Sequence, residues 1–153
     1  MTQATRTDHL HELANIIRLL FWHGQKQAGH TLERLGMTTP QAMVLLGLET
    51  NGGQCTMSEL VQVTQQSPGT LTGIVDRLIA ARFVERDRDA EDRRVVWVRL
   101  TDAGQAKITT INAEREADIT QMTTTFDDAE IAQFTGLMGR LLQAVEAKII
   151  HDA

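Results

Sequence analysis

One cysteine and two prolines stand among 153 residues, and no apolar run reaches the roughly eighteen residues that a membrane-spanning helix needs. A lone thiol, Cys55, cannot build an intrachain disulfide framework, and it fits a reducing cytoplasm. The opening MTQATRTDHLHEL lacks a basic start followed by an apolar stretch and a small-residue cleavage site, so no secretory leader is expected. Catalytic signatures are missing as well. There is no Gly-rich phosphate loop, no nucleophile elbow and no carboxylate pair beside a histidine. Neither an enzyme nor a cofactor is expected. What is present suits a folded chain: 42% hydrophobic residues supply a core, and 23% charged residues argue against disorder.

The net charge of −5 argues at first against nucleic acid. Its distribution says more than its sum. Residues 67–100 carry seven arginines against six acids, so the segment is +1 and the rest of the chain −6. All seven bases there are Arg, the side chain suited to bidentate phosphate and base contacts and to narrow minor grooves. On charge alone, a solvated and salt-bridged hairpin explains the segment equally well.

Periodicity and capping chemistry order the chain. Leu10, Leu13, Ile17, Leu20, Gly24, Ala28 and Leu32 recur at three- and four-residue steps, widened by Ile16 and Phe21, and predict one helix over 8–35. Thr39-Pro40 opens a second helix that stops near Asn51-Gly52-Gly53. After a short segment, Gln54-Cys55-Thr56, the pattern Thr56-Met57-Ser58-Glu59 is a capping box opening a helix to about Thr64. Ser67-Pro68 starts another, with Leu71, Ile74, Val75 and Leu78 on one face and an end near Arg82. The pair is a helix-turn-helix candidate. Phe83-Val84-Glu85 then reads as a short strand, Arg86–Arg94 as a charged turn, and Val95–Leu100 as a β-branched and aromatic strand. A helix-turn-helix followed at once by a charged hairpin is the winged-helix arrangement. Thr101 caps a long polar helix to about residue 124 with Ile108, Ile111 and Met122 as its sparse apolar face. Asp127-Asp128-Ala129-Glu130 opens a last helix striped by Ile131, Phe134, Leu137, Met138, Leu141, Val145 and Ile149. The expected class is mainly α with a small β-hairpin wing (α+β).

The stretch Asp92-Arg93-Arg94-Val95-Val96-Trp97-Val98-Arg99-Leu100-Thr101-Asp102-Ala103-Gly104 resembles the wing signature of the MarR (multiple-antibiotic-resistance regulator) family. That signature is Asp-x-Arg at the wing tip, a strand, then Leu-Thr-x-x-Gly opening the next helix. Ser67 to Leu78 is similar to the family's recognition helix, and the likeness extends over nearly the whole chain. It implies a winged helix-turn-helix regulator at 54–100, with dimerisation helices at 8–35 and 101–150 in a single chain of residues 1–153. It also implies a homodimer on a pseudo-palindromic double-stranded operator, acting as a repressor, with a small anionic or aromatic effector. The apolar stripes of the terminal helices exceed what one winged-helix lobe can cover, which fits such a partner; an ordinary intrachain bundle is the alternative. One departure is Asp87, where many members carry a second basic residue, and it weakens the phosphate footprint.

With the apolar face of the recognition helix turned inward, Ser67, Thr70, Thr72, Gly73, Asp76 and Arg77 face outward. Thr72 and Arg77 are assigned base or phosphate contacts; Asp76 would repel phosphate, and Asp76-Arg77 otherwise reads as an exposed charge pair. Gly73 would let the helix approach closely, at a propensity cost of about 1 kcal/mol. At the wing, Arg94 is assigned to the minor groove, with Asp92 orienting it and Arg93 and Arg88 touching phosphates. For an effector, Arg18 and Trp22, four apart on one helix face, offer a cation and an aromatic wall; the plainer reading is a solvated Arg18 and a Trp22 in the dimer core. Cys55 reads as a buried structural thiol, since no second cysteine can resolve a sulfenic acid. His9 and His11 diverge by about 200° on a helix, and no partner is evident for His23, His30 or His151. A metal- or thiol-responsive sensor on the same fold, and a protein-interaction module without DNA binding, stay open as rivals.

Overall fold

The computed structural model describes residues 5–152, the side chains of residues 149–152 excepted. The stripe residue Ile149 and the side chain of His151 therefore lie outside the described residues, as do residues 1–4 at the start of the chain. Among the described residues, six helices and three strands run in the order α1 (Arg6–Arg34), α2 (Thr39–Thr50), β1 (Gln54–Thr56), α3 (Met57–Thr64), α4 (Pro68–Ala80), β2 (Val84–Arg88), β3 (Val96–Leu100), α5 (Asp102–Met122) and α6 (Asp128–Asp152). The chain divides into two compact units, one up to Glu114 and one from Arg115 onward.

Local chemistry accounts for most boundaries. Helix α1 starts two residues earlier than its apolar pattern, because Thr5 and Asp8 form a capping box (Asp8 N–H to Thr5 Oγ1 at 3.3 Å, Thr5 N–H to Asp8 Oδ2 at 2.8 Å). Helix α2 is capped by Thr38, one residue before the expected Thr39, since only Thr38 has a Gln three residues on to return the bond (Thr38 N–H to Gln41 Oε1 at 2.9 Å). Thr56–Glu59 forms the expected box at α3, and Asp127–Glu130 opens α6 with 2.9 Å bonds in both directions. Helix α2 ends as Asn51-Gly52-Gly53 predicts. Gly52 takes φ 75° and Gly53 N–H reaches back to Leu48 O at 2.8 Å, the Schellman closure that a left-handed glycine allows. Helix α4 closes the same way on a residue with a Cβ: Arg82 sits at φ 62°, and Phe83 N–H donates to Leu78 O at 2.9 Å.

The core of the first unit joins Leu45 and Leu48 of α2, Leu60 of α3, and Leu71, Val75 and Leu78 of α4 with Val98 of β3 and Ile108 and Ile111 of α5. Each of these is at most 2% exposed, so deleting any of them costs on the order of 2–5 kcal/mol. Leu32 belongs to this core and is buried, so it does not extend the exposed stripe of α1. Once packed, its side chain leaves that stripe to end earlier along the helix.

The sheet order is β1-β3-β2, all antiparallel. Two features differ from expectation. Gln54–Thr56 is a strand pairing β3, and β2 runs on to Arg88, so the charged turn shrinks to residues 89–95. Register puts Val84, Arg86 and Arg88 on the face of Leu100, Val98 and Val96, and places Glu85 and Asp87 opposite Arg99 and Trp97 on the other.

In the second unit, the end of α5 and α6 surround an open apolar groove lined by Ile119, Phe126, Phe134, Met138 and Leu142. Phe126 and Phe134 meet edge to face there, with centroids 6.3 Å apart.

Candidate nucleic-acid interface

Helix α4 presents the expected two faces. Leu71, Ile74, Val75 and Leu78 are buried; Ser67, Thr70, Thr72, Asp76 and Arg77 are exposed, and Gly73 is half-buried. Ser67 caps the helix, its Oγ accepting Thr70 N–H at 3.3 Å and lying 2.8 Å from Thr70 Oγ1. Thr72 Oγ1 donates to Pro68 O at 2.9 Å, which fixes the hydroxyl and leaves its lone pairs free. A Cβ added to Gly73 would meet nothing within 4 Å, so the protein's own packing does not require glycine there.

The wing lies beside that helix. Arg86 Nη1 bridges to Asp76 Oδ1 at 3.0 Å, so Asp76 is not an exposed partner of Arg77; it ties the base of the wing to the recognition helix. A half-exposed pair of this kind adds little stability, but it restricts the angle between the two elements. Thr72, Arg86 and Arg88 line one open groove with Met57, Gln62 and Val96. On the other sheet face, Arg99 donates to Asp87 Oδ2 (3.0 Å) and Gln54 Oε1 (2.9 Å). Asp87 thus holds an arginine of its own hairpin, and that use explains its departure from the basic pattern.

At the tip, Arg88, Asp92, Arg93 and Arg94 are all exposed. Asp92 acts on Arg94 through the backbone, its Oδ1 accepting Arg94 N–H at 3.0 Å. Sequence reasoning missed Asp89. This carboxylate accepts the N–H groups of Glu91 (2.9 Å) and Asp92 (3.1 Å) and the Trp97 indole N–H (3.0 Å). The Asp92 amide, the Trp97 indole and the Glu91 amide, in that order of weight, hold its carboxyl below the ordinary carboxylate range. Asp two residues before a free backbone N–H is an Asx-turn signal, and that local pattern was the available clue.

The motif that follows the wing has a mechanical reason. Thr101 Oγ1 donates to Arg82 O (2.6 Å) and accepts Gly104 N–H (3.0 Å), and Thr101 N–H donates to Phe83 O (3.1 Å). The start of α5 is thereby pressed against the α4–β2 corner, and a Cβ on Gly104 would overlap the Phe83 carbonyl.

The other singled-out residues lie elsewhere. Arg18 donates to Asn15 Oδ1 at 2.7 Å and lines a shallow depression with His11, Glu12, Ala14 and Asn15; Trp22 is 71% exposed and is not part of that lining. Cys55 is buried in β1, and burial, helped by the Glu59 charge, pushes its thiol up to about 11. His9, His11, His23 and His30 are exposed, and no group of three metal-ligating side chains gathers among the described residues. No helix among them is long and apolar enough to cross a membrane.

A helix-turn-helix backed by a three-stranded sheet with an arginine-tipped hairpin is a winged helix-turn-helix fold. The MarR family model matches residues 35–95. The repressor MdtR of Bacillus subtilis is 28% identical over 130 residues, covering 85% of this chain and 83% of that protein. The multiple antibiotic resistance protein MarR of Salmonella typhimurium is 29% identical over 140 residues (89% and 96%). Among solved structures, a MarR family protein from Bacillus stearothermophilus superposes with a TM-score of 0.82 at 26% identity, over 94% of this chain and 99% of that one. A mutant MarR from E. coli complexed with operator DNA gives 0.63 at 25% identity (91% and 99%). The chain is thus similar to MarR-family transcriptional regulators over most of its length, and the proteins it resembles are regulators rather than enzymes.

Proposed function

We propose that the protein is a cytoplasmic repressor that binds a pseudo-palindromic operator as a homodimer, released by a small anionic or aromatic effector. The observation that carries the DNA-binding part is the exposed polar face of α4 (Ser67, Thr70, Thr72, Arg77, with the half-buried Gly73 among them) standing beside a wing tipped by Arg88, Arg93 and Arg94. The relative solved with operator DNA supports the same use of the fold. Net charge −5 does not oppose it, because the arginines are concentrated on the elements that would meet phosphates.

The dimer rests on the apolar residues left open on α1 and α6. Leu10, Leu13 and Leu20 are 52, 47 and 61% exposed, and Phe134, Leu137 and Val145 are 48, 53 and 48%. Contiguous stripes of this kind mark a partner surface. Two copies then place two α4 helices on half-sites about 10 base pairs apart, centre to centre. Effector release belongs to the same reading, with Arg18 and Trp22 as its site; a Trp22 covered by the partner copy is the competing role.

Duplexes selected by the protein from a randomised pool should share an inverted repeat, and footprinting on them should give two symmetric protected patches. One asymmetric patch would refute the symmetric mode, and failure to select any sequence would leave a protein-interaction module. On the selected duplex, Arg94→Ala is expected to cost roughly 1–3 kcal/mol of affinity, the scale of one good groove contact. The dependence on salt should shrink by up to about one unit of slope as fewer counterions are released. Arg99→Ala is the control, because Arg99 already serves Asp87 and Gln54 on the other sheet face. Fluorescence anisotropy at two salt concentrations reads both variants. Equal binding by Arg94→Ala and parent would remove the wing tip from the interface.

A further inference from the structure

The wing tip spans residues 89–95 and holds five ionisable side chains, Asp89, Glu91, Asp92, Arg93 and Arg94. All but Asp89 are exposed, so apolar burial does little to order the loop. A chain of hydrogen bonds does. The Trp97 indole N–H donates to Asp89 Oδ2, while Asp89 Oδ1 accepts the Glu91 and Asp92 amides. Asp92 Oδ1 in turn accepts the Arg94 amide, and Asp92 O accepts Val95 N–H at 2.9 Å. Trp97 is half-buried in β3 and paired with both Asp87 and Thr56, so the chain starts from a residue held by the sheet. Both oxygens of Asp89 are engaged, and among the described residues it makes no ion pair with any wing arginine.

We infer that Asp89, anchored by the Trp97 indole, is the positioning residue that sets Arg93 and Arg94 for DNA. The inference rests on the DNA-binding reading above. Its sign is what makes it testable. Asp89 is an anion in a segment aimed at phosphates, so on charge alone its removal would strengthen binding. A positioning role predicts the reverse: releasing the turn frees both arginines to sample many orientations, and ordering them again costs affinity.

The test uses the full-length protein and the duplex it selects. Asp89→Ala should weaken binding roughly tenfold, about the scale of one groove contact, despite the more favourable net charge. Asp89→Asn keeps one carbonyl oxygen for the Glu91 and Asp92 amides but loses the acceptor for the indole, so it should recover only part of that loss. The protein has only two tryptophans, so its nitrogen-correlated NMR spectrum should show two indole N–H signals. The Trp97 signal, assigned by its loss in Trp97→Phe, should move and exchange faster with solvent in both Asp89 variants, and stay in place in Arg94→Ala. If Arg94→Ala weakens binding while Asp89→Ala binds as well as the parent or better, the positioning role is wrong and the DNA reading stands. If neither variant changes binding, the wing does not meet DNA, and the positioning role fails together with the assignment of the wing arginines; failure of the protein to select any duplex is the result that sinks the DNA-binding reading itself. An indole signal unmoved by Asp89→Ala also overturns the anchor.

Discussion

Leu137→Glu is expected to turn the protein into a monomer that sediments at the 17.0 kDa of one chain and no longer holds its operator. Leu137 is 53% exposed in the middle of α6, between Phe134 and Leu141 on the same stripe. Covering a leucine contributes roughly 1.5–3 kcal/mol, and a twofold interface counts the residue twice. A glutamate there loses that term in both copies, and each buried carboxylate without a partner adds a penalty of several kcal/mol. The winged lobe should remain folded. Its core draws on Leu32 to Ile111 and, among the described residues, takes none from α6, so helicity by circular dichroism should fall little. Losing the second half-site should weaken operator binding by about 10²–10⁴, because the second contact is no longer intramolecular. Leu13→Glu in α1 should behave the same way if both helices meet the partner. Analytical ultracentrifugation at micromolar concentration decides the matter. A dimer that survives both substitutions would mean that the stripes face something other than a second copy.

Why some of this was legible in the sequence, and some not, follows from the range of the interactions. Capping boxes at Thr56 and Asp127 and the Asn51-Gly52-Gly53 stop act within five residues, and the chain writes them out. Thr38 and Thr39 show the resolution of such signals: both can cap, and only the reach of Gln41 separates them. The inward face of α4 was readable because a helix repeats it four times. Strand β1 was not, since three residues make no pattern and its pairing partner lies more than forty residues away. Leu32 fits the periodicity of the α1 stripe perfectly well, yet it packs into the lobe beside Met37 and Ala42, and no count along α1 could show where the stripe changes partner. The same holds for Asp76 and Asp87. Each looked like a flaw in a phosphate-binding surface, and each proves to hold an arginine, Arg86 and Arg99, across the fold. Exposed charge in a sequence gives a sign; only the tertiary partner tells whether that charge is free for DNA.

Gly104→Ala should have the largest effect on folding of any single-methyl change in the lobe. Within a helix, glycine to alanine ordinarily gains up to about 1 kcal/mol, because alanine loses less backbone freedom. At Gly104 the new methyl would overlap the carbonyl oxygen of Phe83 and crowd Leu100 Cδ2. Phe83 O is backbone and already accepts Thr101 N–H, so it cannot swing aside as a side-chain end would. Relief requires the start of α5 to back away, which stretches the Thr101 bonds to Arg82 O and Phe83 O. It also disturbs Ile108 and Ile111, the fully packed residues one and two turns on. A cost on the order of 3 kcal/mol is expected, at the upper end for overpacking. That lowers the midpoint of thermal unfolding by roughly 6–12 °C for a chain of this size, read at fixed protein concentration. Gly73→Ala supplies the contrast. It sits in the interior of α4 with open space where its methyl would go, so it should stabilise the fold by about 0.5–1 kcal/mol. Its cost should appear in operator affinity, because the added methyl stands on the face turned toward DNA. If Gly104→Ala unfolds at the parent temperature, the tight contact between α5 and the Phe83 corner is not there; if Gly73→Ala binds operator like the parent, α4 does not approach the bases closely.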